Sequence, residues 1–220
     1  MCWSGTADLV AGAGVGVIGV VCVAGVRDRR DLPLAALPLG LGAHQIVESM
    51  VWDSGGGVGP ATVVWAVIAL PLLAVWVPAG VWCAAPAYAR RRLGFLVVVG
   101  SGTAAVLAYD LATGTVTAEL RGRTVGYAFE LSHAPLLVAG YLLATLGSLL
   151  LSGDRRLSAL GILLAVGALA CWVLWRLEFV STWCALAALC SVVLLGWVRA
   201  RPATPDMVSG SGVGRRRGVE

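Results

Sequence analysis

The sequence contains no lysine and few charged residues of any kind, and this scarcity excludes a soluble domain. All 16 basic side chains are arginine, and charged residues make up only 13% of the 220 residues, whereas hydrophobic residues make up 59%. Mean hydropathy is +0.87. A chain of this composition, with long apolar runs separated by short charged segments, is typical of a polytopic membrane protein.

The sequence also lacks a motif that names a reaction, and its cofactor is left open. The 2 histidines do not occur in a tight metal-binding spacing such as His-Glu-x-x-His. No internal repeat supports a transporter built from duplicated halves. No basic region precedes the first apolar run, so we expect an uncleaved first helix. The net charge of +4 reflects membrane topology, and no nucleic-acid site is indicated.

Apolar runs of about 20 residues, the length needed to cross a bilayer, define the architecture. We predict an all-α fold, with one bundle of about seven transmembrane helices in residues 1–201 and a disordered basic cytoplasmic tail over 202–220. The predicted spans are 8–26, 32–52, 61–83, 93–111, 131–151, 157–175 and 178–198.

The arginines predict the orientation of this bundle. Of the 16 arginines, all but Arg121, Arg123 and Arg176 follow the first, third, fifth or seventh span. The side richer in arginine is cytoplasmic by the positive-inside rule. We therefore expect the N-terminus outside and the C-terminus in the cytoplasm, in a cell membrane.

Two segments are expected to depart from a straight helix. The third span contains Pro71 and Pro78, and interior prolines kink membrane helices. Residues 112–130 alternate β-branched and other residues on both sides of Arg121-Gly122-Arg123, a pattern that predicts a small hairpin over the outer face.

A carboxylate inside the second span is the strongest functional signal. An ionisable side chain near the bilayer core costs roughly 2.5–3.5 kcal/mol on insertion scales, so it is expected to face protein or water. His44, Glu48 and Trp52 lie four residues apart and therefore on one helix face. Glu130 and His133 open the fifth span at the same outer level. We expect the chemistry in the outer leaflet.

Glu48 admits two interpretations, a functional carboxylate or a structural ion pair with Arg176. A metal site is a weaker alternative, because the residues with suitable donor atoms lack a ligand spacing. Those residues are His44, Glu48, His133, Cys2 and Cys184. We predict that Cys2, Glu48, His133 and Cys184 converge in the folded bundle.

The outer tryptophans and cysteines also have two interpretations each. The six tryptophans toward the outer side form either an interfacial aromatic belt or the wall of a substrate pocket. They are Trp3, Trp52, Trp65, Trp172, Trp175 and Trp183. The outer thiols Cys2, Cys171 and Cys184 either form a disulfide or pack as small residues.

Five segments together form a distinctive pattern: Met1 to Asp8, Pro33 to Pro38, His44 to Glu48, Val51-Trp52 and Ser181 to Cys184. They resemble a bacterial integral-membrane family of unknown function, whose members open Met-Cys-(Phe/Trp)-Ser-Ala-Thr. The resemblance covers the whole membrane region and departs from the family opening at Gly5. It implies a bacterial plasma-membrane location and gives weight to Glu48, Cys2 and Trp183-Cys184, whereas members often carry Gln at the position of His44.

These features favour a membrane-embedded acid/base enzyme acting on a lipid or isoprenoid. Glu48, His133 and Glu130 are its candidate catalytic residues. The candidate substrate-binding residues are Trp52, Trp172, Trp175, Arg176 and Trp183, since tryptophan faces stabilise positive charge. The ingredients resemble those of small seven-helix terpene cyclases, although their motifs are missing. The alternatives are a metal-linked or proton-linked binding or transport protein and a non-catalytic membrane scaffold.

Overall fold

The computed structural model describes residues 4–122, 124–174, 186, 188 and 190–201, and most of these residues are helical. A short 3-10 helix, Arg29–Asp31, follows α1, a π-helical segment, Ile68–Leu72, joins α4 to α5, and two strands separate α6 from α7. The helices are α1 (Gly5–Ala24), α2 (Leu32–Ala35), α3 (Leu37–Asp53), α4 (Pro60–Val67), α5 (Leu73–Ala84), α6 (Ala87–Thr113), α7 (Ala134–Leu150), α8 (Arg155–Leu174) and α9 (Ser191–Ala200).

In the described part of the chain, 5 helical stretches are long and apolar enough to cross a membrane. They correspond to predicted spans one, two, three, four and six, and the mainly helical, multi-pass class is therefore confirmed. The stretches are Gly5–Ala24, Arg29–Asp53, Pro60–Ala84, Ala87–Thr113 and Arg155–Val173. The predicted fifth span is the shorter apolar helix Ala134–Leu150. The first part of the predicted seventh span and the predicted tail, 202–220, lie outside the described residues.

Helices α1 and α3 pack with almost no space between their backbones. A Cβ atom on Gly42 of α3 would lie 2.8 Å from the carbonyl oxygen of Gly12 and 2.8 Å from the backbone nitrogen of Gly16. One on Gly19 would lie 2.6 Å from the backbone nitrogen of Leu39. Small residues permit such close approach of membrane helices.

The buried positions of α1 repeat every seven residues. This heptad spacing keeps one seam of α1 against its neighbour along the whole helix. The seam consists of Asp8, Gly12, Val15, Gly19 and Cys22. Asp8 is its only carboxylate, and it is held in the seam by the same packing that brings the glycines together.

The third span changes helix type at its first interior proline, as expected for a helix distorted by proline. Pro71 lies in the π-helical segment, and Pro78 lies inside α5. The hydroxyl of Tyr141, on α7, donates a hydrogen bond of 2.8 Å to the carbonyl oxygen of Ala69. A neighbouring helix thus satisfies a backbone acceptor at the distortion, as the absence of water requires.

The predicted hairpin is confirmed, and it adds a β-element to the expected all-α fold. Strands β1 (Val116–Arg121) and β2 (Thr124–Phe129) pair in antiparallel register. Gly57, in the loop after α3, exchanges two backbone hydrogen bonds with Ala118, of 2.7 and 3.1 Å. Ala118 and Val125 are buried against Val51 of α3. The hairpin is therefore fixed over the C-terminal end of α3.

At the opposite end of the bundle, an ion pair ties α9 to the beginning of the chain. The guanidinium of Arg201, directly after α9, donates hydrogen bonds of 2.9 and 2.7 Å to the two carboxylate oxygens of Asp31. Asp31 is buried, and it closes the 3-10 helix that precedes α2. This bond raises the pKa of Arg201 above its ordinary value, so the guanidinium stays charged.

Candidate functional site

Helix α3 carries three polar side chains into the interior within about one turn. His44 and Glu48 are fully buried, with 0% of each exposed, and Gln45 is 1% exposed. His44 and Glu48 lie on the face that also carries Trp52, since residues four apart stack along a helix. We call Asp8, His44, Gln45 and Glu48 the buried polar cluster.

Asp8 joins the cluster from α1. Its Oδ2 accepts a hydrogen bond of 2.9 Å from the indole nitrogen of Trp52, and its side chain is fully buried. The bond is possible because glycines along both helices bring α1 against α3. Trp52, four residues after Glu48 on the same helix face, therefore positions a second carboxylate. The predicted role of Trp52 in an aromatic belt or a pocket wall stays a prediction.

Two aromatic rings stack beside His44. The indole of Trp65, on α4, lies 5.0 Å from the His44 ring, measured between centroids, at an interplanar angle of 35°. The phenol of Tyr127, on β2, stacks on Trp65 with centroids 3.4 Å apart and an interplanar angle of 8°. The hairpin thus contacts the cluster through Trp65, and this stack separates His44 from the surface.

The cluster contains polar atoms that the surrounding helices do not satisfy. Among the described residues, no group forms a hydrogen bond with Nδ1 or Nε2 of His44, with the amide atoms of Gln45, or with Oδ1 of Asp8. A buried polar group without a partner costs about 1–3 kcal/mol, and a charged one costs more. Polar side chains that serve only to lock helices together are expected to bond to each other. This arrangement instead leaves imidazole, amide and carboxylate atoms available to a proton or to a polar ligand.

The other predicted catalytic residues lie outside this cluster. Glu130 and His133 are both exposed, between β2 and α7. His133 adopts a left-handed backbone conformation, with φ of 59°, as the residue that precedes α7. Glu48, in contrast, is fully buried. The predicted convergence of Cys2, Glu48, His133 and Cys184 stays a prediction.

The predicted aromatic and thiol residues divide between the described and undescribed parts of the chain. Trp172, on α8, is 50% exposed. Cys171, considered as a disulfide partner, is a buried free thiol. Cys2, Trp175, Arg176, Trp183 and Cys184 lie outside the described residues, and with them the predicted pair of Glu48 and Arg176. Within residues 4–122, 124–174, 186, 188 and 190–201, no group of three His, Cys, Asp or Glu side chains suits a metal ion.

The sequence analysis did not name Asp8, Gln45 or Tyr127 as catalytic or binding residues, and it counted Trp65 only among the outer tryptophans. The sequence does carry a signal for Asp8. Gly5 and Gly12 are seven residues apart in an apolar helix, and Asp8 is the carboxylate between them. Tyr127 carries no comparable signal, and nothing in the sequence places Trp65 beside His44. Their contribution depends on how the hairpin folds back over α4, and only the tertiary structure determines that.

The helices and their buried polar residues define the class of this chain, a multi-pass α-helical membrane protein. Residues 1–209 match the model of a family described as a family of unknown function (DUF6629). The chain belongs to this family. No curated protein and no solved structure matches it.

Proposed function

We propose that the buried polar cluster is the acid/base site of a membrane-embedded enzyme that acts on a lipid or isoprenoid. One observation carries the proposal. His44 and Gln45 are buried within the helices, yet none of their side-chain nitrogen and oxygen atoms is hydrogen-bonded by a described residue. Such atoms are available to orient a substrate group, and Glu48 on the same helix face supplies a carboxyl group for proton transfer.

Each polar residue has a distinct role in this proposal. Glu48 gives a proton to the substrate or removes one from it. His44 accepts or donates the second proton, and the Trp65 ring beside it stabilises positive charge that develops on the substrate. Asp8 maintains a negative charge in the site, and its bond to Trp52 fixes that charge relative to α3.

The proposal includes a location and an orientation. The chain lies in a bacterial plasma membrane, with the N-terminus and the hairpin outside and the C-terminus in the cytoplasm. The excess of arginine after the odd-numbered spans supports this orientation. It places the buried polar cluster toward the outer leaflet, because the hairpin that lies over α3 belongs to the outer connection. A substrate would therefore enter from the outer leaflet.

Solvent deuterium tests the proposed chemistry without knowledge of the substrate. Membranes that contain the protein would be incubated in heavy water, and their lipids extracted in ordinary water and analysed by mass spectrometry. Extraction removes deuterium from oxygen and nitrogen, so retained deuterium reports a proton that was transferred to carbon. We expect a lipid that gains deuterium with the wild-type protein and not with Glu48→Gln, which keeps the size and hydrogen bonding of the side chain.

Glu119→Gln is the matched control, since it makes the same chemical change at an exposed carboxylate of the hairpin. It should behave as wild type. Deuterium incorporation that persists in Glu48→Gln at the wild-type level would exclude Glu48 as the acid. If the wild-type protein labels no lipid, the cluster does not act on carbon, and the enzyme proposal fails.

Complete burial favours a second candidate function, proton-linked binding or transport. Asp8, His44 and Glu48 are each 0% exposed, and a proton can reach such groups more easily than a lipid can. Proton transport would be measured in proteoliposomes that contain a pH-sensitive dye. Acidification that requires Glu48 and occurs without lipid labelling would favour transport. Neither activity, together with unchanged growth of a Glu48→Gln strain, would favour a scaffold.

A further inference from the structure

A pocket of about 290 Å³ lies at the arginine-rich end of the bundle, opposite the hairpin. It is formed where five parts of the chain meet: the segment after α1, the end of α5, the start of α6, the connection between α7 and α8, and the end of α9. Charged side chains make up much of its lining, chiefly Arg30, Arg90, Arg201, Asp28 and Asp154. None of these residues belongs to the buried polar cluster, so the pocket is a separate feature of the protein.

One wall of the pocket is fixed by a continuous set of interactions. Besides its two bonds to Asp31, Arg201 donates a hydrogen bond of 3.1 Å to the carbonyl oxygen of Ala84. Its guanidinium lies 5.1 Å from the centre of the Trp197 ring. The indole nitrogen of Trp197 in turn donates a hydrogen bond of 3.0 Å to Oδ2 of Asp154. This wall is therefore held in place before any ligand binds.

The acidic groups of the pocket already accept hydrogen bonds from the protein. Oδ1 of Asp154 accepts from the backbone nitrogens of Arg156 and Leu157, at 2.8 and 3.3 Å, at the start of α8. Oδ1 of Asp28 accepts from the backbone nitrogen of Arg30, at 2.9 Å. These hydrogen bonds fix the positions of both carboxylates relative to the backbone of the segments that carry them.

Two guanidinium groups, in contrast, have donors to spare. Arg90 uses its Nε in a hydrogen bond of 3.2 Å to the carbonyl oxygen of Ala85, and its two terminal nitrogens bond to no described residue. The side chain of Arg30 makes no hydrogen bond or ion pair within the described part of the chain. The N-terminus of α6, at Ala87, has no side-chain cap and follows two residues that line the pocket. Uncapped helix N-termini favour anions.

We propose that this pocket binds a phosphate group through Arg30 and Arg90. A guanidinium presents a planar fork of N–H donors that matches two phosphate oxygens. The volume is slightly below the 300–1,000 Å³ that is usual for drug-sized ligands, so it suits a headgroup and not a nucleotide. The phosphate belongs either to a membrane phospholipid or to a soluble phosphate ester.

Binding would be measured by titration calorimetry on the full-length protein in a nonionic detergent. The probes are inorganic phosphate and a short-chain phosphatidic acid that stays monomeric in solution. We expect binding to the wild-type protein that weakens about tenfold or more in Arg90→Gln and in Arg30→Gln. Arg91→Gln is the matched control, because it removes the same charge from an exposed position next to Arg90 that does not line the pocket.

The two probes separate the possible sources of the phosphate. Binding of phosphatidic acid without binding of inorganic phosphate would support a phospholipid headgroup, and similar binding of both would support a soluble ester. Arg30 is exposed, so Arg30→Gln should fold even if Arg90→Gln does not. Absence of binding to the wild-type protein would overturn the proposal. So would equal losses in Arg30→Gln and Arg91→Gln, since these would show only a general attraction to positive charge.

Discussion

The close contact between α1 and α3 can be tested by adding a methyl group to it. The atoms that such a group would meet belong to the backbone, so they cannot rotate away as a side chain could. In Gly42→Ala, the new methyl group would lie 2.8 Å from both a carbonyl oxygen and a backbone nitrogen of α1. The two helices would have to separate by several tenths of an ångström. Overpacking of this kind costs about 1–3 kcal/mol.

The same substitution at Gly14 is the matched control. Gly14 is also helical, and a Cβ atom there has nothing within 4 Å. Replacing glycine by alanine inside a helix favours folding by about 1 kcal/mol in both variants, so this gain cancels in the comparison. We therefore expect Gly42→Ala to have the lower free energy of unfolding of the two, by about 1–3 kcal/mol.

Thermal unfolding in detergent, followed by tryptophan fluorescence, would measure the difference. For a chain of this size, 1 kcal/mol corresponds to a change in Tm of roughly 2–4 °C. Gly42→Ala should thus melt roughly 2–12 °C below Gly14→Ala. Equal melting temperatures for the two variants would refute the inference that α1 and α3 are in backbone contact at this position.

Two further predictions concern the cluster and its orientation. Trp52→Phe keeps an aromatic ring but removes the N–H donor to Asp8, so it should lower the free energy of unfolding by about 1–3 kcal/mol in chemical or thermal denaturation. Trp82→Phe, at a side chain that is 41% exposed, should change it little, and equal effects would contradict a role for the bond. In a cysteine-free background, Glu119→Cys in the hairpin should react with a membrane-impermeant reagent in intact cells, whereas Arg91→Cys should react only after lysis. The reverse pattern would invert the proposed orientation.

The membrane architecture and the hairpin could be predicted from sequence because both leave local patterns. Apolar runs of about 20 residues mark the helices directly. The hairpin is visible as alternating β-branched residues on both sides of Gly122, which takes a positive φ of 64° in the turn. Glu48 was selected correctly as a buried side chain on the face of His44 and Trp52, since four-residue spacing fixes that geometry.

The environment of Glu48 was not predictable in the same way. In a helix surrounded by lipid, apolar residues occur on all sides, so hydrophobic periodicity does not reveal which face of α1 meets α3. Glycines mark the face of α1 that contacts another helix, but their spacing does not identify which helix that is. The contacts of Trp65 with His44 and Tyr127 connect three elements far apart in the chain. The sequence analysis explained the arginines by membrane topology alone, and it did not predict that Arg30, Arg90 and Arg201 line one pocket.

The ion pair between Asp31 and Arg201 has a consequence for biosynthesis. Its two residues are 170 positions apart in the chain. At a translation rate of 5–20 residues per second, Asp31 is made roughly 8–34 s before its partner. The glycine-rich contact between α1 and α3, in contrast, lies entirely within the first 53 residues. The N-terminal helix pair can therefore assemble while the ribosome is still at work, whereas the carboxylate of Asp31 gains its guanidinium partner only after α9 has been made.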